Sequence, residues 1–316
     1  MSLKICLFFG GFKPEHLDAI RSVAPSAALV PLSPERAVEE MRDAEIAVGW
    51  QPLPGLEAAR KLRWIHLPDA GADIVMGTPF IRERGIVVTN SSGAFGVPIS
   101  EHVLAMMLSF VRRLRTFDRA QSQKAWRKGL PVDELYEKTV GILGLGDIGT
   151  AVAHRCKAFG MRVLAMKRHA GAKPPFVDEL YGPEGIDRIV AEADFLVVCL
   201  PGTRETTGLL SRERLAAMRP GSYLINIGRG KVVDEEALIE LLRAGRIAGA
   251  GLDVFVTEPL PPESPLWEME NVIVTPHTSG THPRHAERTA AIFCRNLRRY
   301  LRGEPLENVI DLELGY

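Results

Sequence analysis

The chain has 316 residues, 46% hydrophobic and 25% charged, a length for two domains and a composition typical of a globular enzyme. Lysine plus arginine equals aspartate plus glutamate at 39 each, so the net charge is zero, which argues against nucleic acid or an anionic membrane as the main partner. No apolar run reaches membrane-spanning length, the opening MSLKICLFFGG is broken too soon for a secretory signal, and Cys6, Cys156, Cys199 and Cys294 show neither C-x-x-C nor metal-ligand spacing. A cytoplasmic chain with free, buried thiols and no metal is expected.

In chain order, residues 5–9 read as a strand, 16–23 as a helix, 28–30 as a strand, 35–42 as a helix and 46–48 as a strand, with Trp50 just beyond. Trp50 is a candidate pocket wall or an ordinary packing aromatic. Residues 56–62 suggest a helix, 64–67 a strand and 86–88 another. Short strands alternating with helices predict a first parallel α/β unit without a glycine fingerprint. Within it, Pro68 to Asp73 is a turn directly after a strand, where exposed amides could hold a carboxylate; an ordinary turn is the plainer reading. After a small, glycine-containing stretch at 92–97, Val103 to Val111 is apolar nearly all round, so this helix is expected to be buried between domains or subunits. His102, at its start, reads as structural.

The stretch Lys138 to Gly149, KTVGILGLGDIG, organises the rest. A β-branched run ends in Gly144-x-Gly146-x-x-Gly149, a helical pattern follows up to Gly160, and a second strand runs from Arg162 to Met166. In this strand–turn–helix context the glycines predict a dinucleotide site. Gly144 allows the tight turn, Gly146 lets a pyrophosphate reach the backbone, and Gly149 allows close helix–strand packing. The helix N-terminus then meets the anion. After Met166 the chain reads as loop-like through Lys173-Pro174-Pro175. Further strands are expected at 195–200, 223–227, 248–254 and 272–274, with helices at 212–218, 234–244 and 284–302.

In open α/β sheets, ligands bind beyond the carboxyl ends of the strands, and Arg229, Asp253, Glu258 and His277 all fall at or just after such ends. An arginine fork meets a carboxylate bidentately. Histidine titrates near neutrality and suits proton transfer, and a glutamate can orient it. The second strand carries its own signal. NAD-dependent proteins place an acid at its end for the ribose hydroxyls, whereas this strand ends Lys167-Arg168-His169. Lysine cannot accept a hydroxyl proton, but Lys167 and Arg168 could hold a 2′-phosphate. A solvated basic loop is the alternative.

These stretches carry a resemblance. TVGILGLGDIG, DFLVVCLPGTRETTGLL, LINIGRGKVVDEEALIELL, GAGLDVFVTEPLP and NVIVTPHTSG resemble the NAD(P)-dependent D-isomer-specific 2-hydroxyacid dehydrogenases, nearest the glyoxylate/hydroxypyruvate reductases. The resemblance covers nearly the whole chain. It implies two Rossmann-like parallel-sheet domains with a cleft between them: a flavodoxin-like substrate domain, 1–95 completed by 284–316, and a dinucleotide-binding domain, 96–283. It implies that Arg229 binds the substrate carboxylate and keto oxygen, and that Glu258 partners His277, the proton donor. The turn at Ala70, Gly71 and Ala72 becomes the substrate-carboxylate loop, which reverses the plainer reading. Cofactor contacts are expected from Gly144, Leu145, Gly146, Asp147, Ile148 and Gly149, from Lys167 and Arg168, and from Leu200, Pro201, Thr206, Ile227, Gly228, Asp253 and Thr278. The implied activity is reduction of small 2-oxoacids such as glyoxylate or hydroxypyruvate, with NADPH preferred and NADH possible, in a cytoplasmic homodimer. Two other readings remain open: a non-catalytic nucleotide-sensing protein on the same fold, or a D-2-hydroxyacid dehydrogenase of different substrate preference.

Overall fold

The computed structural model describes residues 3–169 and 171–316. From the amino end the chain forms β1 (Lys4–Leu7), α1 (Pro14–Val23), β2 (Ala28–Pro31), α2 (Pro34–Met41), β3 (Ile46–Val48), β4 (Trp64–His66), α3 (Asp73–Met76), α4 (Pro79–Glu83) and β5 (Val87–Thr89). Next come α5 (Gly96–Val111), α6 (Leu114–Ser122), β6 (Thr139–Leu143), α7 (Asp147–Ala158), β7 (Arg162–Met166), β8 (Glu179–Tyr181), α8 (Ile186–Glu192) and β9 (Phe195–Val198). The chain ends with α9 (Arg212–Ala216), β10 (Tyr223–Asn226), α10 (Glu235–Arg243), β11 (Gly249–Leu252), β12 (Val272–Val274) and α11 (His285–Leu301). It divides into two compact units. One takes the amino-terminal residues through Phe95 together with His282–Tyr316, and the other is Gly96–Thr281.

The first unit is a five-stranded parallel sheet in the order β2-β1-β3-β4-β5, the flavodoxin-like order. Ile5, Ile46, Val48 and Trp64 pack one face with Phe293 and Leu297 of α11, while Ala47, Ile65 and Val88 pack the other. The tail returns beside β5 through the Ile310 amide to Val88 O at 2.8 Å. Trp50 is only 4% exposed and lies edge-on to Phe8 and Phe80. Its indole N–H donates to Thr78 Oγ1 at 3.4 Å, so Trp50 has packing and hydrogen-bond partners within this core.

At the ends of β4 and β5 the unit buries a closed polar chain. The Trp64 indole N–H donates to Thr89 Oγ1 at 2.8 Å, and Thr89 Oγ1 lies 2.9 Å from His66 Nδ1. Beyond the ring, His66 Nε2 lies 3.2 Å from Ser91 Oγ, which donates to Leu67 O at 3.0 Å. A carbonyl only accepts, so the serine proton goes to Leu67 and Nε2–H donates to the serine. That leaves Nδ1 to accept from Thr89. Neutral imidazole satisfies every atom in the chain.

The second unit is a seven-stranded parallel sheet in the order β12-β11-β10-β9-β6-β7-β8, a doubly wound order that reverses between β6 and β9. β6 is buried at every position, as a central parallel strand must be. Asp234 caps α10 by accepting from the Ala237 amide at 3.0 Å. The apolar helix α5 buries Val103, Met106 and Met107 and packs on α7 and β11 of its own unit. The 56–62 helix is corrected to a single 3-10 turn, Leu56–Ala58. Beyond the loop that follows β7, β8 and α8 are elements the sequence did not signal, and β8 adds an edge strand beside β7. No helix of the described residues is long and apolar enough to cross a membrane. All four cysteines are free, and burial pushes the Cys156 thiol up to about 12.

Candidate active site

β6 hands the chain to Gly144, whose φ of +101° lies in the region side chains avoid. A Cβ on Gly149 would stand 2.0 Å from Gly144 O, so α7 begins hard against the turn. A Cβ on Gly146 would meet nothing within 4 Å, and no side chain caps α7. The helix end is thus open where an anion can approach. These residues fit the pyrophosphate of a dinucleotide. Leu145 is buried beside this open end, Asp147 is exposed and Ile148 half-buried.

At the end of β7, Lys167 is exposed, and the Arg168 guanidinium meets the Glu205 carboxylate. The sequence reading did not foresee Glu205. In the loop after β9, the Thr206 hydroxyl bonds Pro201 O at 2.6 Å and accepts from the Thr203 amide at 2.9 Å, which closes the loop on itself. Leu200 and Ile227 are buried. After β10, Asn226 holds the next turn from both sides. Its Oδ1 accepts from the Gly228 amide at 3.1 Å and its Nδ2 donates to Arg229 O at 3.1 Å. The Arg229 guanidinium also bonds Gly228 O at 2.8 Å.

Asp253 is wholly buried after β11 and accepts three bonds. They come from Thr275 Oγ1 at 2.6 Å, the Thr278 amide at 2.9 Å and the Ser279 amide at 3.0 Å. Because Thr275 gives its proton to the carboxylate, it accepts from His102 Nε2 at 3.1 Å, so His102 braces this turn. The turn puts His277 at φ +49°, an unusual value for a non-glycine residue. His277 Nδ1 lies 2.8 Å from Glu258 Oε2, and Glu258 Oε1 accepts from the Phe255 amide at 3.0 Å. A carboxylate accepts, so Nδ1 is the donor and Nε2 is the ring atom left for chemistry. Asn226, Thr275 and His102 escaped the sequence reading as positioning groups; an asparagine two residues before Gly228-Arg229 and a threonine before Pro276-His277 were the available signals.

In the first unit, two carbonyls of the turn after β4 are held by the two residues after β5. Asp69 O accepts from the Ser91 amide at 3.0 Å and Ala70 O from Asn90 Nδ2 at 2.7 Å. The amides of Ala70, Gly71 and Ala72 donate to nothing among the described residues. Consecutive amides without a protein partner can receive an anion. Among the described residues no group of three His, Cys, Asp or Glu side chains is arranged to hold a metal.

Comparison with known proteins assigns this architecture. Residues 104–279 match the family model of the D-isomer specific 2-hydroxyacid dehydrogenase NAD binding domain. Glyoxylate/hydroxypyruvate reductase B of Pectobacterium carotovorum is 40% identical over 264 residues, 81% of each chain. D-3-phosphoglycerate dehydrogenase of Methanocaldococcus jannaschii is 33% identical over 95% of this chain but 58% of its own. Among solved structures, a D-isomer specific 2-hydroxyacid dehydrogenase family protein of Aeromonas salmonicida superposes with a TM-score of 0.88 at 33% identity, covering 99% of this chain and 100% of that one. The NADPH-dependent glyoxylate/hydroxypyruvate reductase of Sinorhizobium meliloti, in complex with NADP and sulfate, gives 0.85 at 30% identity over the full length of both. The doubly wound sheet with its glycine turn is therefore an NAD-binding domain, and the chain belongs to the D-isomer-specific 2-hydroxyacid dehydrogenases, a family of oxidoreductases.

Proposed function

We propose that the protein reduces small 2-oxoacids, glyoxylate and hydroxypyruvate foremost, to 2-hydroxy acids, and that it prefers NADPH. The observation that carries the reading is the His277–Glu258 pair at 2.8 Å, at the same carboxyl edge of the sheet as Arg229 and the glycine turn. Bound nicotinamide would supply the hydride. Arg229 would orient the carboxylate and keto oxygen with its planar fork. His277, held through Nδ1 by Glu258, would give the Nε2 proton to that oxygen as charge develops on it. The nest at Ala70, Gly71 and Ala72 would seat the carboxylate. Asp253 would hold the turn of Thr278 beside the nicotinamide, and Leu200, Pro201, Thr206, Ile227 and Gly228 would line the cofactor's path.

Lys167, with Arg168, supports the NADPH preference, since neither can serve as the ribose-binding acid. Arg168 must leave Glu205 to meet a phosphate, so Lys167 is the more available cation. The exposed apolar side chains Leu114, Phe117, Trp126, Val132 and Tyr136 support a homodimer, and the free thiols suit a reducing cytoplasm. The test is a panel of 2-oxoacids with NADPH and NADH in parallel. Steady NADPH oxidation with glyoxylate or hydroxypyruvate is the expected result. Cofactor binding with no turnover on any 2-oxoacid would mark a nucleotide-sensing protein instead. Highest efficiency on a phosphorylated or bulkier substrate would move the assignment within the family.

A further inference from the structure

We propose that His285 is a positioning residue for the substrate carboxylate, acting from α11 on the turn that seats it. The inference rests on reading Ala70, Gly71 and Ala72 as that seat. Pro68 O, at the entrance to the turn, receives two donors from the first turns of α11: His285 Nε2 at 3.0 Å and Thr289 Oγ1 at 3.2 Å. A carbonyl has two lone pairs, and both are engaged. It cannot donate, so His285 carries its proton on Nε2. The ring is fixed in its plane by Phe9 and Phe95, with centroids 5.3 and 5.2 Å away. Asp69 Oδ1 lies 3.9 Å from the same nitrogen.

The consequence follows from peptide planarity. In a trans peptide the C=O and the next N–H point in opposite directions, so fixing one carbonyl aims the following amide. His285 and Thr289 fix the Pro68–Asp69 peptide, the Ser91 amide fixes Asp69–Ala70, and Asn90 fixes Ala70–Gly71. Three consecutive peptides are thereby oriented, which aims the amides of Asp69, Ala70 and Gly71; the last two belong to the seat, and the first leads into it. Two of the clamps come from Asn90 and Ser91, the two residues after β5. The first comes from a helix 217 residues later, so α11 fixes the peptide that leads into the nest and from which its following peptides take their course.

The experiment compares His285→Leu, His285→Gln and Thr289→Val with the parent. Oxalate, an unreactive dicarboxylate, is titrated by calorimetry in the presence of saturating NADP+, alongside glyoxylate kinetics. His285→Leu should weaken oxalate and raise the glyoxylate KM about tenfold, the loss of one hydrogen bond's worth of alignment, with kcat and NADP+ affinity within about twofold of the parent. Glutamine, which still offers a donor, should recover most of that loss, and Thr289→Val should show a smaller rise of the same kind. If leucine and glutamine behave alike, or if only the melting temperature falls while KM and oxalate affinity hold, the clamp is overturned. A parent protein that binds no oxalate and shows no saturable glyoxylate kinetics overturns the seat itself, and the clamp with it.

Discussion

A histidine that transfers a proton at one ring nitrogen needs the other one held, and Glu258 does this for His277 at 2.8 Å while its second oxygen is tied to the Phe255 amide. His277→Ala should therefore lose about a hundredfold or more in turnover, the usual span for general acid–base catalysis, with NADPH affinity barely changed. Near-parental turnover would rule out the role. Arg229→Lys should keep the charge but lose the planar fork, so glyoxylate efficiency should fall; an unchanged kcat/KM would show that Arg229 is not the clamp. His66 obeys a different logic. Burial drives its pKa down to about 3, and the Trp64–Thr89–His66–Ser91–Leu67 chain is complete only with a neutral ring. Its folded value lies below the ordinary 6.5 of an unfolded histidine, so between those limits the unfolded chain binds the extra proton. This contribution to stability is full above about pH 6.5 and falls as pH drops towards 3, by at most about 1.4 kcal/mol per pH unit. His66→Gln should flatten that slope in urea unfolding followed from pH 7 to pH 4. A slope identical to the parent's would mean that His66 does not titrate there.

Cofactor choice belongs to the end of one strand. β7 ends at Met166, Lys167 follows it at the position proposed to meet the ribose, and Arg168 beyond is shared with Glu205. One charge-assisted phosphate contact contributes about 1.5 to 3 kcal/mol, so Lys167 alone predicts a kcat/KM for NADPH roughly ten to a hundred times that for NADH. Lys167→Asp with Arg168→Pro should shrink or invert that ratio; equal efficiency in the parent would refute the assignment. Elements with strong local signatures were legible in the sequence. The glycine turn, β3 and β12 fell where β-branched runs and punctuation put them, and the Asp234 cap lay at the expected start of α10. Weakly amphipathic elements were not. β8 is a half-buried edge strand, Glu179-Leu180-Tyr181, masked by the prolines before it. α6 buries only Ala120 among polar neighbours. The clamps by Asn90, Asn226 and His285 were hidden for another reason: each acts on backbone groups, and for His285 the partner lies 217 residues away.

At the scale of the whole molecule, the chain builds two sheets in two compact units, with every residue proposed to touch the cofactor in Gly96–Thr281. Such a chain is not bound to unfold as one cooperative body, and a single free energy need not describe it. A ligand stabilises whatever unit must stay folded to bind it, by RT ln(1 + [L]/Kd), or about 2.7 kcal/mol at a hundred times Kd. NADP+ should then slow amide exchange in β6, β7, β9, β10 and β11 by the corresponding factor of about a hundred where exchange requires global opening of that unit. Exchange in β1, β3 and β4 should change far less, because their packing involves none of these groups. NAD+ at the same concentration should protect the second unit less, in proportion to its weaker binding. The measurement is hydrogen exchange read by mass spectrometry on peptides from the two sheets. Equal protection of both sheets would show that the units open together and would refute this expectation.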